Sequence, residues 1–98
     1  MKRDEKLMYQ ILDLLEELPY STVLKSKVVD LLEETGLKID AGVVEHHMRL
    51  LLDRGCVAEM TSATTGATDR WRITDNGHNL AAKNPERNVA GFASLEKQ

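Results

Sequence analysis

Asp40-Ala-Gly-Val-Val-Glu-His-His-Met-Arg-Leu-Leu-Leu-Asp-Arg-Gly55 leads into Cys56-Val-Ala-Glu-Met60, Thr61-Ser-Ala-Thr-Thr-Gly-Ala-Thr-Asp69 and Arg70-Trp-Arg-Ile-Thr74. The first segment reads as a helix over 41–54. Asp40 offers its carboxylate to the free amides of the opening turn, and Gly55 supplies the left-handed stop. Val44, Met48, Leu51 and Leu52 are expected to form the buried stripe, with Gly42, Val43, His46, Arg49, Leu50 and Asp53 towards the opposite side. Cys56–Met60 and Arg70–Thr74 read as paired strands, the second placing Trp71 and Ile73 on one face and Arg70 and Arg72 on the other. The Thr-, Ser- and Gly-rich stretch 61–69 is the loop between them.

Upstream, Leu7, Met8, Ile11, Leu12, Leu14, Leu15 and Leu18 recur at helical spacing behind Asp4, a suitable N-cap, and Pro19 closes the segment. Ser21-Thr-Val-Leu24 leans towards β structure: it is either a short extended piece beside the 61–69 loop or the first turn of the next helix. From Lys25, with Ser26 as the candidate cap, Val28, Val29, Leu31 and Leu32 give one apolar face before Thr35-Gly36 ends it. Leu37 and Ile39 are placed to plug the angle between this helix and the one after Asp40. Downstream, Thr74 or Asp75 can cap a fourth helix through Leu80, Ala81 and Ala82, stopping near Asn84-Pro85. The order defines a mainly α fold with a small β-hairpin (α+β): a winged helix-turn-helix of three core helices, a wing and a C-terminal helix. The expected organisation is one domain over 1–84 and a tail over 85–98, partly disordered or ordered by a partner.

Composition supports one core and restricts the partners. Of 98 residues 42% are hydrophobic, enough for a single small core. Thirteen basic against sixteen acidic residues leave a net charge of -3, so any nucleic-acid site must be a local patch. Cys56 is the single cysteine and has no internal disulfide partner, and the basic start Met1-Lys2-Arg3 runs into Asp4 and Glu5 rather than an apolar signal core. A cytoplasmic setting is expected, without a membrane span.

The opening Met1-Lys-Arg-Asp4, the segment Val44-Glu-His-His-Met-Arg-Leu-Leu-Leu-Asp-Arg-Gly55 and the turn Trp71-Arg-Ile-Thr-Asp-Asn-Gly-His78 resemble a family of small phage and prophage proteins of uncharacterised function. The resemblance covers about residues 1 to 82 and fades beyond Asn84. It implies a winged-helix architecture, a phage or bacterial setting and a regulatory or DNA-binding role, and it brings no catalytic residues.

Catalytic chemistry finds little support. His46 and His47 are adjacent, and neighbouring helical residues diverge by roughly 100°, whereas a two-histidine metal site needs i and i+4 on one face. No metal or other cofactor is expected. His47 is expected half-buried at the boundary of helix and wing, His46 at the surface, and His78 against the turn into the fourth helix. Cys56, just after a helix-ending glycine, fits a small buried hydrophobe better than a redox thiol. No nucleophile triad, phosphate-binding glycine loop or His-Glu-x-x-His sequence is present, so a non-enzymatic protein with no small-molecule substrate is expected.

Two partner classes stay open. For duplex DNA, Arg49 and His46 would face base edges, Gly42 and Val43 would permit close approach, and Lys38, Arg70 and Arg72 would meet phosphates, with Thr64 and Thr65 of the wing adding neutral contacts. Glu45 and Asp53 on or beside that surface oppose this reading. For a protein partner, a second copy or a host protein, Val43 and Leu50 would be outward apolar anchors, joined by Phe92 and Leu95 of the tail.

Overall fold

The computed structural model describes residues 1–85. In chain order they form α1 (Glu5–Glu17), β1 (Val23–Leu24), α2 (Lys25–Glu34), α3 (Ala41–Asp53), β2 (Val57–Met60), β3 (Arg70–Ile73) and α4 (Asp75–Ala81). The three strands make one antiparallel sheet in the order β1-β3-β2. This is the winged-helix arrangement: a helical core, with 61–69 projecting as the wing between β2 and β3. All of the expected tail except Pro85, including Phe92 and Leu95, lies outside the described residues.

Local chemistry sets most of the boundaries. The Asp4 carboxylate accepts from the Leu7 N–H at 3.2 Å and opens α1. Asp40 accepts from the Gly42 N–H at 2.7 Å and opens α3. Gly55 ends α3 at φ +71°, a left-handed conformation that a side chain would strain. The open choice at 21–24 resolves as a strand, because Val23 and Leu24 pair with Trp71 and Arg70. Ser26 is not the cap of α2. Leu24 occupies that position with no side-chain bond, and the Lys25 N–H is instead taken by the Asp69 carbonyl at 2.8 Å, so the sheet sets the helix start.

The core is continuous. Leu7, Met8, Ile11, Leu12 and Leu15 of α1 pack with Val28 and Leu32 of α2, Val44, Met48 and Leu51 of α3, and Val57 and Trp71 of the sheet. Burying side chains of this size contributes roughly 1.5–3 kcal/mol each, offset by the ordering of the chain. Leu52, expected in the buried stripe of α3, is only half-buried, and its place is taken by His47, which is 1% exposed.

Three contacts fix the inward side and C-terminal end of α3. His47 accepts from the Asp4 backbone N–H through Nε2 at 2.9 Å. Its other nitrogen therefore carries the proton, and Nδ1–H donates to the Val43 carbonyl at 2.7 Å. The expected position of His47 at the wing is thus corrected: it joins α3 to the N-cap of α1. Next, Arg54 grips Glu5 with two guanidinium nitrogens, at 2.9 and 3.4 Å. Finally, the Thr74 hydroxyl donates to the Gly55 carbonyl while accepting from the Gly77 N–H at 3.1 Å, capping α4 and binding it to the end of α3. Gly77 leaves no room for a substituent there, since a Cβ would lie 2.1 Å from the Cys56 carbonyl oxygen.

Candidate nucleic-acid interface

The outward side of α3 from Ala41 to Arg49 is its open part. Ala41, Gly42, Glu45 and Arg49 are exposed, and Val43, His46 and Leu50 are half-buried. Val43 and Leu50 pack against the core instead of standing out as apolar anchors, because the helix is seated deeply enough for residues beside its buried stripe to touch the interior. The large hydrophobic side chains that are exposed are Met1 and Tyr20, among the described residues.

The pleat of the sheet divides the arginines into two groups. Residues directly opposite in an antiparallel pair share a face, so Glu59, opposite Trp71, lies on the Trp71 side. Arg70 and Arg72, opposite Met60 and Ala58, lie on the other. Arg49 approaches Glu59 and so belongs with the Trp71 side: its Nη1 is 3.4 Å from Glu59 Oε1, and its Nη2 is 4.0 Å from Glu45. The sequence grouping of Arg49 with Arg70 and Arg72 is therefore not a single surface. Arg70 turns to Thr22, donating to its hydroxyl at 3.4 Å, and lines an open groove of about 630 Å³ with Leu18, Tyr20 and Lys27. Arg72 is exposed and donates to the Ile73 carbonyl at 3.3 Å.

The cation that the fold brings to Arg49 is Lys25, which sequence reasoning missed. Lys25 Nζ sits 2.9 Å from Glu59 Oε2 and 4.4 Å from the centre of the Trp71 ring. Lys25 and Arg49 flank a cleft of about 510 Å³ between α2 and α3 that also includes Ser26, Asp30, Glu45 and Trp71. Hydrogen bonding from Lys25, with the positive charges of Lys25 and Arg49, holds the Glu59 carboxyl below its ordinary range against the opposing effect of burial. One sequence signal was available: strand alternation puts Glu59 on the same side as Val57, and a carboxylate on an inward-leaning side requires a cation.

The wing is ordered by its own backbone and side-chain hydrogen bonds. The Ser62 N–H donates to the Ala67 carbonyl and the Gly66 N–H to the Ser62 carbonyl, both at 2.8 Å. Thr61 and Thr68 share a hydroxyl bond at 3.0 Å across the base. Thr64 and Thr65 are exposed at the tip. The Thr65 hydroxyl accepts from the Ala67 N–H at 3.2 Å and retains its proton for an outside acceptor. Lys38, in the turn before α3, is also exposed.

The remaining candidate groups have structural surroundings. Cys56 is buried, and burial pushes its thiol up, away from the reactive thiolate. His78 is exposed and pairs through Nδ1 with Glu16 of α1 at 2.6 Å, rather than supporting the turn before α4. Both nitrogens of His47 are engaged, and among the described residues no group of three His, Cys, Asp or Glu side chains is placed to hold a metal ion. No described helix is long and apolar enough to cross a membrane.

Element order, sheet topology and wing together define a winged-helix fold. Solved structures agree. F93 from STIV, a winged-helix DNA-binding protein, superposes with a TM-score of 0.70 at 21% identity, over 87% of this chain and 89% of that one. A PadR family transcriptional regulator from Eggerthella lenta gives 0.69 at 21% identity, over 95% and 80%. ZitR from Lactococcus lactis, as an apo double mutant, gives 0.63 at 11% identity, over 95% of this chain and 64% of that one. At these identities the likeness is one of fold. No protein-family model matches the chain, and no curated protein is significantly similar to it.

Proposed function

We propose that residues 1–84 form a non-enzymatic unit that binds duplex DNA and serves transcription regulation, with the N-terminal half of α3 entering the major groove. The observation that carries this reading is the exposed start of α3 (Ala41, Gly42, Glu45 and Arg49), standing beside Lys25 on a helix whose other end is pinned to α1, α4 and the sheet. The small residues Ala41 and Gly42 allow close approach to base edges and methyl groups, with Val43 and His46 along the flank. Arg49, Lys25 and Lys38 supply phosphate contacts, and Thr64 and Thr65 extend the contact along the backbone through the wing. Arg70 and Arg72 have smaller parts, because they lie on the opposite sheet face. The descriptions of F93 as a winged-helix DNA-binding protein and of the Eggerthella lenta protein as a PadR family transcriptional regulator fit this reading. A phage or prophage setting is the reading supported by the resemblance over residues 1 to 82, and the viral source of F93 is compatible with it.

Fluorescence anisotropy of a labelled duplex tests the proposal. Three phosphate-facing cations correspond to a slope of about -3 in log affinity against log salt. Saturable binding that weakens with salt, and weakens further in Arg49→Ala, is the expected result; no saturable binding at low salt contradicts it.

A further inference from the structure

We propose that Lys25 and Arg49 form a seat for one backbone phosphate, and that the Glu59 carboxylate occupies this seat in the free protein. This rests on the duplex-binding reading above and adds how the interface is held in check. The geometry is that of an anion held between two cations: one Glu59 oxygen meets Lys25 Nζ at 2.9 Å, and the other meets Arg49 Nη1 at 3.4 Å. A phosphate presents its non-bridging oxygens in the same way.

The seat has a second source of positive potential. Lys25 is the first residue of α2, a ten-residue helix whose N-cap residue, Leu24, makes no side-chain bond to the opening amides, so the positive end of its dipole adds to the charge of Lys25. Trp71 lies beneath the ammonium at 4.4 Å and fixes its position. The occupant is exchangeable. The Lys25 and Glu59 side chains are each 27% exposed and that of Arg49 is 54%, so an outside anion can reach all three groups. Glu45 at 4.0 Å from Arg49, and Asp30 in the same cleft, keep the seat from acting as a general anion site. A phosphate therefore displaces Glu59 only when the rest of α3 is engaged. Glu59 belongs to β2, the strand that leads into the wing at 61–69.

The experiment compares the full chain with Glu59→Gln, which keeps the shape and removes the charge, in anisotropy titrations of one duplex over a range of salt. Glu59→Gln is expected to bind about three- to ten-fold more tightly at low salt. Lys25→Gln on the Glu59→Gln background is expected to abolish the gain. Glu17→Gln, an equal charge change at the exposed end of α1, is expected to change affinity less than about two-fold. Thermal unfolding of each variant separates binding effects from loss of fold. The inference is overturned if wild type binds and folded Glu59→Gln binds no more tightly, or if Glu17→Gln gains as much. If neither wild type nor Glu59→Gln binds duplex, the DNA reading itself fails and this proposal falls with it.

Discussion

The two ends of α3 differ in how they are held. Its inward side and C-terminal end are fixed by bonds over long sequence distances: His47 to the Asp4 backbone, Arg54 to Glu5, and Gly55 to Thr74. Its outward side from Ala41 to Arg49 has the short-range Asp40 cap and one exchangeable set of ion pairs around Arg49 and Glu59. A helix built this way is rigid where it meets the core and open where it meets solvent, and rigidity at one end limits the ordering cost of binding at the other. The difference predicts that substitutions at the fixed end act on stability and those at the open end on affinity.

Gly77→Ala tests the fixed end most severely. Its Cβ would collide with the Cys56 carbonyl and the Ile73 side chain, neither free to withdraw, and a loss of about 3 kcal/mol in a urea titration is expected. His47→Leu preserves bulk but leaves the Asp4 N–H without its acceptor, at a cost of about 2 kcal/mol, and should loosen the start of α1 in hydrogen exchange. Thr74→Val removes the cap of α4 and the bond to Gly55, for about 1 kcal/mol. None of these should alter duplex affinity while the protein stays folded. Duplex affinity reduced more by His47→Leu than by Arg49→Ala, with both proteins folded, would break the distinction.

The fixed end also carries an acid response. The hydrogen bond from Arg54, aided by the charges of Arg54 and Arg3, holds the Glu5 carboxyl below its ordinary value of 4.5 despite the opposing effect of burial. A lowered folded-state value means the contribution is present above the unfolded carboxylate range and disappears as pH falls through the folded value. The pair is well exposed, so the effect is small. Urea midpoints should decline on acidification below about 4.5, less steeply in Glu5→Gln than in wild type. Smallest of all, Arg72→Ala on the opposite sheet face should change duplex affinity less than Arg49→Ala.

What was legible in the sequence follows the range of the interactions involved. The Asp4 and Asp40 caps, the Gly55 stop and the Trp71/Ile73 alternation act within a few residues, so composition and spacing revealed them. The status of 21–24 was undecidable locally, because Val23–Leu24 is a strand only by pairing with β3. His47 was misplaced although its spacing held the clue: it falls three residues after Val44 and four before Leu51, within the stripe that packs inward. The candidate interface was the least legible part. Lys25, Arg49, Glu59 and Trp71 come from four elements, and no pattern along the chain shows that the sheet separates Arg49 from Arg70 and Arg72.

Backbone amide chemical shifts recorded during titration with a short duplex test the central claim most directly, because they report which surface is touched. Perturbations are predicted at Lys25 and Ser26, along Ala41 to Arg49, and in the wing from Ser62 to Ala67, with Leu51 to Arg54 and α1 little changed. Saturating shifts confined to the groove of Leu18, Tyr20, Lys27 and Arg70, or to Arg72 and its neighbours, would contradict it.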